Sequence, residues 1–271
     1  MANNSQLFEH TQRYVREVMA DTLRAAGFSS YKGEDIHWYR LVNNEVVQSI
    51  YFATRWAKLP GLLEIRYGFH PLFIPPVFQK SPYFSESQNY EQMYDIIPEI
   101  IPGSKPYGKQ RAFILGLSNG LYSKGIWIDV PKEPEMKNGL MVLEKCLQEL
   151  EPLTTPRACY EKHKDIRQSQ IENESWHLMS PYFVDEVLFW EDKSLYDYCE
   201  KYTKNQARAY QKGNEQGWLK RKTDIHTMKQ LVILDEVFTN GTQKEYVNTF
   251  VTREQETLKL LQKYAGICAE R

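Results

Sequence analysis

Arg40, Arg55 and Arg66, with Trp38 and Tyr51 among them, are the residues of this sequence best suited to hold a ligand. A guanidinium offers a planar fork of donors that meets a carboxylate or phosphate at two points, and neighbouring rings supply stacking surfaces. The segments carrying these residues alternate as strands do. If Asn43-Asn44 forms a two-residue hairpin turn, Val42 opposes Glu45 and Leu41 opposes Val46. Trp38, Arg40, Val47, Ser49, Tyr51 and Arg55 then share one face, and Tyr39, Leu41, Val46, Ile50, Phe52 and Trp56 share the other. Glu64, Arg66 and His70 of a third strand join the arginine face. The competing expectation is a solvated face with Glu64 paired to arginines across strands, and a bulge would exchange the faces beyond it.

The same residues suggest a catalytic alternative: a hydrolase or phosphoryl-handling site with His70 or His37 as acid–base, Glu64 as the orienting carboxylate and the arginines as anion clamps. Other signatures fail on spacing. Gly103-Ser104-Lys105 and Gly108-Lys109-Gln110 lack the glycine spacing and following hydroxyl of a phosphate loop. Gly116, Gly120 and Gly125 surround an expected hairpin rather than joining a strand to a helix, which argues against a dinucleotide fingerprint. Ser29 and Lys32 have the spacing of an acyl-enzyme pair but follow a helix end instead of opening a helix. None of the six histidines pairs with another at three or four residues, and Cys146, Cys159, Cys199 and Cys268 are scattered. The sequence implies no metal and no cofactor, and reduced, mostly buried thiols.

A second surface lies near the end. Lys201, Lys204, Arg208 and Lys212 recur at helical spacing, with Tyr202, Tyr210 and Trp218 interleaved, so a helix over 201–222 could carry nucleic acid. Asp197 with Lys201 and Glu200 with Lys204 are acid-before-base pairs four apart, the pattern of a solvated helix, and that is the weightier reading.

These groups must be positioned by an α+β fold: an N-terminal helix plus an antiparallel sheet of about five strands, followed by a helical C-terminal part. The apolar period predicts a helix over 6–26 closed by Gly27, strands over 37–42, 45–56 and 62–69, and a second strand pair over 111–117 and 121–130 around Ser118-Asn119-Gly120. A short helix ending near Pro98 or Pro102 falls between them. Pro134 and Thr155-Pro156 open two helices, and Ser194 to Asp197 and Thr242 to Glu245 have capping-box form. Asp224 caps a helix to Phe238, and one helix over 243–265 returns antiparallel. The expected division is an α+β meander domain over 1–131 and a helical part over 132–271, packed on the sheet as one unit.

The opening unit resembles a family of bacterial domains of unknown function in which a helix ending in Gly-Phe precedes an antiparallel meander. Leu23, Gly27, Phe28, Trp38, Tyr39, Arg40, Gln48, Phe52 and Gly68 carry the resemblance, which covers roughly a quarter of the 271 residues. It implies the meander fold and no chemistry.

Lys plus Arg (34) nearly balances Asp plus Glu (35), so no overall field draws the chain to nucleic acid or anionic lipid. The longest uncharged stretch, 67–79, is broken by His70, Pro71, Pro75 and Pro76 and is too short for the roughly 20 residues of a membrane helix. The opening residues lack the basic start and apolar run that a signal peptide needs, so a cytoplasmic protein is expected. The leading expectation is a non-catalytic protein binding a small anionic ligand or a protein partner on the arginine and aromatic face.

Overall fold

The computed structural model describes residues 13, 15–31, 34–55, 62–74, 113–116, 133–172, 181–219 and 222–268. The chain enters through a π-helical turn, Val15–Met19, that runs into α1, Ala20–Ala25. Val15, Met19, Ala20 and Leu23 form its buried stripe. Gly27 takes φ 82°, so its N–H reaches the Arg24 carbonyl and the Phe28 N–H the Leu23 carbonyl, each at 2.9 Å. That pair of bonds ends the helix at the residue able to adopt a left-handed backbone without Cβ strain. The expected earlier start of this helix, over 6–12, lies outside the described residues.

Five strands follow in the order β1 (Ser29–Tyr31), β2 (Glu34–Val42), β3 (Val46–Arg55), β4 (Leu62–Pro71) and β5 (Phe113–Gly116), all antiparallel neighbours. Short β1 and β5 flank a body of three long strands. The edge strand β1 is absent from the sequence reading. The second expected strand of the 111–130 pair and the short helix before Pro98 lie outside the described residues.

The hairpin register departs from expectation by one residue. Asn43 and Asn44 take φ 52° and 57°, and the Glu45 N–H bonds the Val42 carbonyl at 3.0 Å, the geometry of a mirror-image turn. Val42 nevertheless pairs with Val46, not Glu45. Glu45 is an extra residue whose carbonyl accepts the Leu72 N–H at 2.8 Å instead of entering the ladder. This single insertion flips β2 against β3 and β4. One face now carries Ile36, Trp38, Arg40 and Val42 with Val46, Gln48, Ile50, Phe52, Ile65, Tyr67 and Phe69. The other carries His37, Tyr39 and Leu41 with Val47, Ser49 and His70, and at its register positions Tyr51, Arg55, Glu64 and Arg66.

Helices from the C-terminal part cover both faces. They are α2 (Glu133–Leu150), α3 (Pro156–Glu172), α4 (Pro181–Phe189), α5 (Tyr196–Glu215), α6 (Lys222–Asn240), α7 (Gln243–Asn248) and α8 (Phe250–Ala265). The first face packs on the N-terminal helix and on Leu143, Cys146, Leu150 and Cys159. The second packs Tyr39 and Val47 against Leu261 and Ala265 of α8. After β4, Phe73 stacks on Phe189 and Phe250 at 4.4 and 4.9 Å and joins a third core among the helices.

Thr155 caps α3 as expected, its Oγ1 accepting the Ala158 N–H at 3.2 Å. Elsewhere the helix starts hold but not the cap chemistry. Asp192, not Ser194, accepts the exposed N–H before α5, and Thr242 makes no side-chain cap bond. The helix expected to begin at Asp224 begins at Lys222, and the one expected over 243–265 breaks at Thr249. No helix of the described residues is long and apolar enough to cross a membrane.

Candidate functional site

The register change separates the residues expected to share one face. Trp38 is 1% exposed, in the core beneath the N-terminal helix, so it is no stacking platform for a ligand. Arg40 lies on that same face, and Tyr51, Arg55, Glu64 and Arg66 take register positions on the opposite one. The side chains of these last four lie outside the described part of the structure.

The acid–base pair of the catalytic alternative is not assembled. Glu64 opposes Ala53 and His70 opposes Val47, six residues apart on one strand, about 20 Å at the usual rise. His37 and His70 are both buried, and burial pushes their pKa values down to about 3 and about 4. His70 Nδ1 lies 3.0 Å from the Pro71 carbonyl and so carries the proton that donates to it. His37 sits among Tyr31 and Tyr39, ring centroids 6.5 and 6.3 Å away. Both imidazoles are neutral packing groups.

Arg40 is in a different situation. Its guanidinium is half-buried, with Nε donating to Gln48 Oε1 at 2.7 Å and Nη1 to the Ala26 carbonyl at 2.8 Å. The Phe28 ring lies 4.7 Å from its Cζ. Gln48, fully buried, is itself fixed. Its Nε2 donates to the carbonyls of Leu150 and Leu153, each at 2.8 Å, at the end of α2, and this turns Oε1 toward Arg40. Asn43 Nδ2 donates to the Thr154 carbonyl at 3.1 Å and ties the hairpin tip to the same loop. Among the described residues every acceptor of Arg40 is neutral, and it takes part in none of their ion pairs. Burial lowers its pKa and the nearby charge of Glu151 works against that, yet a guanidinium remains a cation. Of its five N–H bonds, two are used by described residues and three are not.

Those three remain beside a cavity of about 550 Å³. It is bounded by Ala26 and Gly27 at the end of α1, Ser29 of β1, the hairpin end 40–44, and Ile267 and Cys268 beyond α8. Phe28 and Gln48, which hold Arg40, and the cavity beside it are not a site in the sequence reading. The readable signal was indirect: Gly27, Phe28, Arg40 and Gln48 all belong to the pattern that carries the resemblance, and they meet here.

The helical strip is partly as expected. Lys201, Lys204, Arg208 and Lys212 are exposed, but Tyr202 is core and Tyr210 half-buried, leaving Trp218, 71% exposed, as the open ring. Lys220 and Arg221 lie outside the described residues.

A buried polar network in the helical part escaped sequence reading. On α4, Asp185 Oδ1 accepts from Tyr246 Oη at 2.7 Å and Oδ2 from Arg253 Nη1 at 2.8 Å, while Gln230 Nε2 donates to Tyr246 Oη at 2.7 Å. Its neighbour Glu186 meets His163 Nδ1 at 2.6 Å, and His163 stacks on Phe69 at 4.5 Å. Two adjacent acids inside an apolar run, Pro181–Phe189, were the available clue. Cys159 stands one turn from His163, but burial, and then the Glu186 charge, pushes its thiol upward, away from a reactive thiolate. No group of three or more metal-ligating side chains occurs among the described residues.

Compared with protein-family models, curated proteins and solved structures, the chain matches none.

Proposed function

We propose that this is a non-catalytic binding protein whose cavity at the β2–β3 hairpin end holds a small anionic ligand on Arg40. One observation carries the reading: a half-buried guanidinium, aimed by Gln48 and Ala26, has neutral acceptors only and borders an open cavity. Burying a cation is costly unless a partner offsets it, so a charge held in place without a carboxylate is poised to receive one. The cavity volume falls within the range of small-molecule sites. Four thiols without a disulfide suit a reducing compartment, and the reading places the protein in the cytoplasm.

Calorimetric titration with sodium acetate and with inorganic phosphate, on wild type and on Arg40→Met, tests it. At least one anion should bind the wild type and lose that binding in Arg40→Met, while the variant keeps the wild-type circular dichroism. Equal binding by both proteins, or binding by neither, would overturn the assignment.

A further inference from the structure

Resting on the Arg40 reading, we propose that the occupant is a zwitterion of amino-acid or short-peptide type with an aliphatic side chain. Its carboxylate sits on Arg40, and its ammonium faces the helix ends that border the same cavity.

The charge pattern supports this choice. Arg40 is the sole charged side chain among the described lining residues. A single guanidinium balances a carboxylate, whereas a phosphate brings up to two negative charges. The helix ends at the cavity are both C-termini. The chain leaves α1 through Gly27 at φ 82° and leaves α8 through Gly266 at φ 67°, and residues just past each of these ends line the space. A helix C-terminus carries roughly half a negative charge on carbonyls that lack an intrahelical donor. At α8, the N–H groups of Gly266 and Ile267 occupy the carbonyls of Gln262 and Leu261, and later carbonyls of the last turn carry that partial charge. At the third helix end nearby, that of α2, the Gln48 amide occupies the Leu150 and Leu153 carbonyls, and the Glu151 carboxylate there adds a negative charge that Arg40 feels.

The cavity is therefore dipolar, with one full positive charge opposed by partial negative ones. A dianion would meet the helix ends unfavourably, while a molecule with a carboxylate and an ammonium matches both poles. Leu41, Val42 and Ile267 add aliphatic surface, and Ser29 and Asn43 offer neutral hydrogen-bonding groups. The volume, about 550 Å³, is far larger than a bare carboxylate requires.

The test uses the full chain and five probes: L-leucine, leucylleucine, 4-methylpentanoate, which lacks the amine, leucinamide, which lacks the carboxylate, and inorganic phosphate. L-Leucine or leucylleucine should bind about tenfold more tightly than 4-methylpentanoate, the size of effect helix-end carbonyls give in a partly buried site. Leucinamide should not bind measurably, and Arg40→Met should remove binding of the zwitterion. If 4-methylpentanoate matches the zwitterions, or phosphate exceeds them, the zwitterion is wrong while Arg40 stands as an anion site. If nothing binds in a manner that depends on Arg40, both fall.

Discussion

Arg40 and Arg253 are two partly buried arginines with opposite surroundings. Arg253 has its acid: Nη1 bonds Asp185 at 2.8 Å, Nη2 bonds Tyr246 Oη at 2.7 Å, and the guanidinium lies over the Phe250 ring at 4.6 Å. Burial opposes its charge, but Asp185 and Tyr246 outweigh that and raise its pKa. Arg40 is held as firmly, by Gln48, Ala26 and Phe28, but bonds no acid among the described residues; burial lowers its pKa, and the charge of nearby Glu151 only works against that. Arg253 is thus a structural tie among α4, α7 and α8. Arg40 is oriented by neutral groups beside a cavity, and that difference is what the proposal of a ligand on Arg40 rests on.

Asp185→Ala and Arg253→Met attack the closed network from either side and should have the largest effect. Each leaves a buried charge or a set of buried donors without its partner, a loss of about 3–5 kcal/mol in urea unfolding. A loss below about 1 kcal/mol for both would show that the pair does not hold the helical part together. Burial raises the Asp185 carboxyl above its ordinary value against the pull of Arg253 and Tyr246, so the low-pH form of this one group is the better tolerated in the fold. Its contribution is present below its unfolded value of 3.8 and is lost as pH rises through the raised folded value.

The histidines of the sheet work in the other direction and dominate nearer neutrality. His37 and His70 are held at about 3 and about 4, below the ordinary 6.5, so the unfolded chain takes up protons that the folded chain refuses. Stability is full above pH 6.5 and falls on acidification by about 1.4 kcal/mol per pH unit for each histidine, until the folded values are reached. Urea midpoints measured from pH 7.5 to 5 should therefore drop, and His37→Phe with His70→Gln should flatten the slope by about 2.7 kcal/mol per unit. An unchanged slope would mean that these imidazoles are not buried neutral.

Much of this was legible. The apolar period and the Asn43-Asn44 and Gly27 punctuation act within a few residues, so helix ends and the meander follow from local chemistry. The face assignment did not, because it turns on Glu45, whose carbonyl is diverted by Leu72 from beyond the next strand. Nothing local distinguishes Glu45 as an extra residue from Glu45 as the first of β3. Arg40 stands out as a candidate by its type, but its partners Gln48 and Ala26, and the Leu150 and Leu153 carbonyls that fix Gln48, come from separate elements, and that convergence appears only in three dimensions. Asp185 and Glu186 interrupt an apolar helix, a local sign of buried acids that does not say which cation meets them.

Gln48→Leu sharpens the comparison from the Arg40 side. The leucine fills similar volume but removes the Gln48 donor from both carbonyls; Leu150 keeps the Leu153 N–H, while the Leu153 carbonyl loses the Gln48 amide, at about 1–3 kcal/mol if water does not reach it. It also frees Nε of Arg40, so stability should fall by about 2 kcal/mol and L-leucine affinity should fall with it. Loss of stability with unchanged affinity would mean that Gln48 caps α2 but does not aim the guanidinium.

Arg40→Met has the smallest expected effect on the fold, and for that reason decides most. Removing Arg253 strands a carboxylate, whereas removing Arg40 strands only neutral acceptors, the buried Gln48 Oε1 and the Ala26 carbonyl at the cavity edge. The methionine keeps much of the apolar stem that packs near Phe28. The loss of a half-buried charge whose burial outweighs the pull of Glu151 offsets those two bonds, so the net change in stability should stay within about 1 kcal/mol. If Arg40→Met instead destabilises as much as Arg253→Met, the guanidinium is a structural tie like its counterpart, and the cavity beside it loses its claim to a ligand.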